Sequence, residues 1–113
     1  MINKTQILKG ILEGCILSLL SVEKMYSQEI AARLEEDGIT DVSDGTLFPL
    51  LLRLENEGLI VSEKVPVSNG PCRKYYTLSA AGSEELLKFS AIYTELFSAV
   101  KKIIEGGKEN GEA

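Results

Sequence analysis

The 113 residues make one domain by length, and an apolar fraction of 44% with a charged fraction of 26% is ordinary for a folded chain with a real core. The lack of any histidine removes the commonest general base and metal ligand. A net charge of −5 weighs against nucleic acid unless the cations are gathered on one surface. No apolar run approaches the ~18–20 residues of a membrane span, and two cysteines, Cys15 and Cys72, are too few for a disulfide framework or a zinc site.

Residues 7–20 are the most hydrophobic stretch. Apolar pairs four apart (Ile7-Leu8, Ile11-Leu12, Cys15-Ile16, Leu19-Leu20) lay a wide stripe along one side of a first helix. Lys9, Glu13 and Ser18 interrupt the run and no small-residue cleavage site follows, so a core helix in a cytoplasmic protein is expected rather than a secretory signal. Cys15 sits on the stripe as a small core residue, and Gly10 and Gly14 imply a close approach by another helix.

Ser27 is placed to cap a second helix with Ile30, Ala31 and Leu34 inward and Gly38 as the residue that stops it. A third helix begins near Ser43 and runs to Glu57, with Val42 and Leu47 in staple positions and Leu47, Leu50, Leu51 and Leu54 as its buried stripe. Pro49 leaves two starts open. With Ser43 as the cap it lies inside the helix and removes a hydrogen bond; with a start at Thr46 it falls in the first turn, where the missing N–H costs nothing. Gly58 supplies the end.

Leu59-Ile60-Val61 and Tyr75-Tyr76-Thr77-Leu78 have strand composition, separated by the turn formers of residues 66–71. This predicts a hairpin with a long, mobile tip. Ser79 then caps a last helix to about Glu105, on which Leu86, Phe89, Tyr93, Leu96, Val100 and Ile103 form a near-heptad seam. At 1.5 Å per residue that helix is ~40 Å long, more than a domain of this size covers. Residues 106–113 are polar and expected to be disordered.

Three helices followed by a hairpin is the element order of a winged helix-turn-helix, mainly α with a small β-hairpin. Residues 1–78 form that unit and residues 79–105 a dimerisation helix belonging to the same compact body. The run Ser43-Asp44-Gly45-Thr46-Leu47-Phe48-Pro49-Leu50-Leu51, with Arg53-Leu54-Glu55 and Glu57-Gly58-Leu59-Ile60, resembles the third helix and wing entry of the PadR-like regulators. Arg73-Lys74-Tyr75-Tyr76-Thr77-Leu78-Ser79, Gly82, Leu8-Lys9-Gly10 and the Glu29-Ile30 pair are similar too, so the likeness covers residues 8–100. It departs at Phe48, where the family usually has tyrosine, at Tyr26-Ser27-Gln28 in place of His-Gly-Tyr, and in a wing with fewer cations.

The resemblance implies a DNA-binding transcription repressor that works as a homodimer on an inverted repeat and is released by a small apolar or aromatic effector. Relatives hold flat compounds between tryptophans at the dimer centre, but this chain has no Trp. From Asp41 to Glu57, four carboxylates face the lone cation Arg53, whereas the wing and the first helix carry Lys64, Arg73, Lys74, Lys4 and Lys9. The expected DNA contacts are therefore Lys9, Lys64, Arg73 and Lys74 on phosphates, with Ser43, Thr46, Phe48 and Arg53 on or beside the recognition helix. Each has a plainer reading: Ser43 as a cap, Arg53 paired with Glu57, Arg73 and Lys74 as solubilising charges, and Phe48 packed under the wing instead of touching a thymine methyl.

The expected dimer seam is Leu86, Phe89, Tyr93, Leu96, Val100 and Ile103 against Ile7 and Ile11 of a second copy, with an effector pocket of Ile11, Cys15, Tyr93 and Phe97. The acidic balance and thin wing support an alternative, a winged-helix module that binds protein. No cofactor or metal is expected. No nucleophile–base pair, phosphate-cradling glycine loop or motif-placed carboxylate pair suggests an enzyme.

Overall fold

The computed structural model describes residues 2–112, and side chains through residue 107. In chain order the elements are α1 (Lys4–Leu8), α2 (Leu12–Leu20), β1 (Met25–Tyr26), α3 (Ser27–Glu36), α4 (Asp44–Asn56), β2 (Ile60–Val67), β3 (Gly70–Leu78) and α5 (Ala80–Glu112). The strands form an antiparallel sheet in the order β1-β3-β2. Helices α3 and α4 make the helix-turn-helix and the β2–β3 hairpin makes the wing, so the winged-helix architecture is the one expected from the sequence.

The core is one cluster. Leu12, Ile16, Leu17 and Leu20 of α2 meet Ile30 and Leu34 of α3, Leu47, Leu51 and Leu54 of α4, and Met25, Ile60 and Tyr76 of the sheet. The stripe expected for the first helix is present, but the helix is not continuous. Gly10 N–H donates to Ile7 C=O at 3.3 Å and Ile11 N–H to Leu8 C=O at 3.0 Å, a tightened turn that separates α1 from α2. A glycine inside a helix costs ~1 kcal/mol relative to alanine, which makes this the weakest point of the run.

The other helix ends follow their capping chemistry. Tyr26, not Ser27, is the N-cap of α3, and Glu29 Oε1 accepts from the Tyr26 N–H at 3.1 Å. Gly38 and Gly58 take φ of +102° and +78°, and the following N–H groups of Ile39 and Leu59 reach back to Leu34 C=O at 2.8 Å and Leu54 C=O at 3.0 Å. Ser43 is the N-cap of α4, so Pro49 does lie inside the helix and leaves the Gly45 carbonyl without its usual donor.

Two expectations about the wing and tail are corrected. The strands are longer than their β-branched cores, and Val67 pairs with Gly70 across a two-residue Ser68-Asn69 turn. The Pro66 irregularity between Val65 and Val67 lets the ladder continue past the proline. The last helix continues through residues 106–112 instead of ending near Glu105, since Gly106 and Gly107 lower helix propensity without adding a breaking residue; Ala113 lies outside the described residues.

Helix α5 leaves the domain through two glycine contacts. A Cβ on Gly82 would stand 2.0 Å from the Leu59 carbonyl oxygen, and one on Gly14 would stand 2.3 Å from the Phe89 ring. Ser79 locks the first contact: its hydroxyl donates to Gly58 C=O at 2.7 Å and accepts from Gly82 N–H at 3.0 Å. Over its 33 residues the helix is about 50 Å long. The molecule measures 65 × 28 × 21 Å with a radius of gyration of 17.0 Å, against about 13 Å for a compact chain of this size.

Gly82→Ala is expected to lower stability by about 1–3 kcal/mol, because the atom it strikes is backbone rather than a side chain able to swing aside. An unchanged urea midpoint would contradict this packing.

Candidate nucleic-acid interface

Leu47, Leu51 and Leu54 are fully buried, which turns the opposite side of α4 to solvent. Ser43 and Thr46 are exposed at its start, their hydroxyls 3.3 Å apart. Farther along, Phe48 is 51% exposed and Leu52, one turn after it, 57%. Phe48 is thus not packed away under the wing, although it borders it.

A groove of about 710 Å³ separates α4 from the wing. Phe48 lines it together with Ser27 and Gln28 at the start of α3, the wing tip, and Arg73 and Lys74 on β3. The Arg73 guanidinium lies 4.4 Å from the centre of the Tyr26 ring, which meets Tyr75 edge-on at 5.3 Å; a stacked guanidinium keeps its N–H donors free at the edges. A second groove of about 420 Å³ runs along the other side of α4 and is lined by Lys9, Thr46, Pro49 and Arg53 among others. Helix α4 therefore has cations on both flanks, accompanied in the second groove by Glu13 and Asp41.

Two of those cations are already paired. Arg53 Nη1 is 3.1 Å from Glu13 Oε1 and its Nε is 3.4 Å from Glu57 Oε1, so the i,i+4 pair expected as its plainer role exists and a tie to α2 is added. Lys74 Nζ donates to Glu55 Oε1 at 3.0 Å, and Glu55 also accepts from the Ser62 hydroxyl. The Ser62 hydroxyl and the Lys74 ammonium hold the Glu55 carboxyl below its ordinary range. The Glu55 hydrogen bond in turn raises the Lys74 ammonium. Lys64 stands opposite Lys74 in the β2–β3 register, a like-charge pair that Glu55 offsets. Lys64 is exposed and Lys9 stands exposed in the turn between α1 and α2.

Three features escape a reading of the sequence: β1, whose Met25 and Tyr26 pair with Tyr76 and Tyr75; the outward Leu52; and Glu55 as the link between α4 and the wing. Two residues are too short a run for strand periodicity to register. For Leu52 a signal did exist, its position between the two turns of the buried stripe.

The seam residues divide. Leu86 and Phe89 are half-buried against their own domain. Tyr93, Leu96, Val100 and Ile103 are exposed, as is Ile7, while Ile11 and Cys15 are half-buried on α2. Phe89, Tyr93 and Phe97 stack in a ladder with centroids 5.8 and 5.7 Å apart. Burial pushes the Cys15 thiol up, in keeping with an inert core-edge role; Cys72 is exposed on the wing.

With this geometry in place, residues 16–88 match the model of the Transcriptional regulator PadR-like family. The chain belongs to that family. Among solved structures, a PadR-like transcriptional regulator from Bacillus cereus is 40% identical with a TM-score of 0.79, over 88% of this chain and 96% of that one. A PadR family regulator from Eggerthella lenta is 32% identical with a TM-score of 0.79, over 89% and 88%. An uncharacterised Lysinibacillus sphaericus protein is 26% identical over 91% of this chain and 96% of its own length. The family is one of transcriptional regulators, and among the described residues no helix is long and apolar enough to cross a membrane.

The Glu55 link has a pH signature. Its stabilisation is present in full above the ordinary carboxylate range and is lost as pH falls through the lowered folded-state value. The melting-temperature difference between the parent and Glu55→Gln should therefore be constant near neutrality and shrink below pH ~4. Because the pair is largely solvated, it should correspond to less than about 1 kcal/mol. A difference that grows on acidification would refute the link.

Proposed function

We propose that this chain is a homodimeric DNA-binding transcription repressor acting on an inverted repeat. The supporting observation is α4 itself, whose outward face lies between two grooves that each carry cations. In this reading the start of α4, from Ser43 through Phe48, enters the major groove, and Lys9, Lys64, Arg73 and Lys74 meet the phosphates alongside. Arg53 is held by Glu13 and Glu57, so its contribution is to fix α4 against α2 and to present its remaining N–H groups to the backbone.

The dimer reading rests on α5. Leu96 is 59% and Ile103 72% exposed, and Ile92, Tyr93, Phe97 and Val100 continue the same apolar surface, more than a monomer normally leaves to water. A second copy covers this seam, with its Ile7 and Ile11 against Leu86, Phe89, Tyr93, Leu96, Val100 and Ile103. The same reading places an apolar or aromatic effector between Ile11, Cys15, Tyr93 and Phe97, four side chains that carry no formal charge at neutral pH. Two-fold symmetry sets the half-sites one helical turn, ~34 Å, or a multiple of it apart.

The net charge of −5 and the carboxylates on Arg53 and Lys74 favour a second reading, a winged-helix module that binds protein. Salt-dependent binding to duplex DNA separates the two. Arg73→Ala with Lys74→Ala should weaken binding on every sequence and lower the log–log salt slope by ~0.9 for each phosphate no longer neutralised. An unaltered affinity and slope in a folded dimer would favour the protein partner.

Leu96→Asp should convert the dimer to monomer by sedimentation at micromolar concentration, since it places an unpaired charge in the seam. A parent protein that is monomeric there would remove the dimer reading altogether.

A further inference from the structure

The solvent face of α4 has an unexpected composition for a helix that reads DNA. From Asp44 to Leu52 it carries no Arg, Lys, Asn or Gln, the side chains that make bidentate hydrogen bonds to guanine and adenine in the major groove. After the exposed Asp44, Gly45 and Thr46 at its start, what it presents is apolar: Phe48 and Leu52 are exposed one turn apart, and the exposed Pro49 stands beside them, about 100° round the helix from Phe48. The first basic side chain, Arg53, is turned to Glu13 and Glu57.

This ridge has a defined position. Phe48 borders the groove that holds Arg73 and Lys74, and Pro49 borders the groove that holds Lys9 and Arg53 together with Glu13 and Asp41. An apolar crest with cations to either side matches a duplex laid along α4, with its phosphate strands over the grooves and base edges over the crest. A major groove ~12 Å wide admits a helix in this way, and the one apolar group that it displays is the C5-methyl of thymine.

We infer that Phe48, Pro49 and Leu52 are the specificity-determining residues of this helix and that they read thymine methyl groups, so that each half-site is chosen for its thymines and not for guanine. The inference rests on the DNA reading above and deepens it. Ser43 and Thr46, whose hydroxyls face each other at the helix start, add one or two polar contacts at the edge of the crest. The apolar crest supplies discrimination and the flanking cations supply affinity, and these separate experimentally.

The test starts from duplexes selected by the purified full-length protein out of a random double-stranded pool. The selected duplexes are remade with deoxyuridine for thymidine, which removes the methyl group and leaves the pairing and hydrogen-bonding edges unchanged. The parent protein should bind the deoxyuridine duplex about tenfold or more weakly, a difference of ~1.4 kcal/mol per decade. Phe48→Ala and Leu52→Ala should bind the thymidine duplex less well and lose most of the preference for it. Arg73→Ala should weaken both duplexes equally and keep the preference. Phe48→Leu, which keeps an apolar side chain of similar reach, should retain part of it and guards against misfolding of the alanine variant. Equal affinity of the parent for the two duplexes overturns the methyl reading while leaving DNA binding intact. Failure to bind any duplex at low salt overturns both and assigns the apolar crest to a protein partner.

Discussion

Leu47, Leu51 and Leu54 are fully enclosed by α2, α3 and the sheet, and their spacing leaves α4 a single rotation about its axis. Each such side chain contributes about 1.5–3 kcal/mol by leaving water. Turning the helix far enough to hide Phe48 or Leu52 would give up more than it gained. The exposure of that apolar ridge is thus imposed by the core beneath it. Pro49 fits the same constraint: it lacks a donor on a side of the helix where its neighbours face solvent, so the Gly45 carbonyl it leaves unbonded is open to water.

Charge placement follows a different logic from charge number. The chain is acidic overall, yet three carboxylates near α4 are directed at particular cations: Glu13 and Glu57 at Arg53, Glu55 at Lys74. Exposed pairs of this kind contribute little to stability and weaken further with salt. Their effect is positional. Glu13–Arg53 fixes α4 to α2, and Ser62–Glu55–Lys74 fixes α4 to the wing, so two weak links orient the recognition helix relative to both groups of cations beside it.

The winged-helix order was legible because its signals are local and strong: the leucine stripe of α4, the Gly38 and Gly58 stops, and the Ser43 and Ser79 caps each act within one or two turns. What failed to show was long-range. β1 exists because Met25 is buried and Tyr26 meets Tyr75 across the sheet, contacts made with residues about fifty positions away. The tight wing turn was hidden by Pro66 and Pro71, which read as loop formers yet are tolerated in edge positions of a two-stranded ribbon. Cations were identifiable by type, but their pairing was not, since Lys74 meets Glu55 only after the hairpin folds back on α4.

Helix α5 shows how two absent side chains control a whole element. Gly82 lets its first turn touch the Leu59 carbonyl, and Gly14 lets Phe89 seat on α2. Both contacts are closer than any Cβ would permit, so the direction in which α5 leaves the domain is fixed at two points and not by a flexible joint. Residues 90–105 then project where their own domain offers little cover. Glu13, which holds Arg53 of α4, is the immediate neighbour of Gly14. The Phe89 contact at the root of the proposed dimer seam is therefore one residue from the ion pair that ties α4 to α2, a route of two contacts from seam to α4 beside a groove of about 380 Å³ that Phe89 and Arg53 both line. In the proposed dimer, the seating of a second copy on α5 sets the separation of the two α4 helices through this route, and a ligand that shifted Phe89 would act on both helices together.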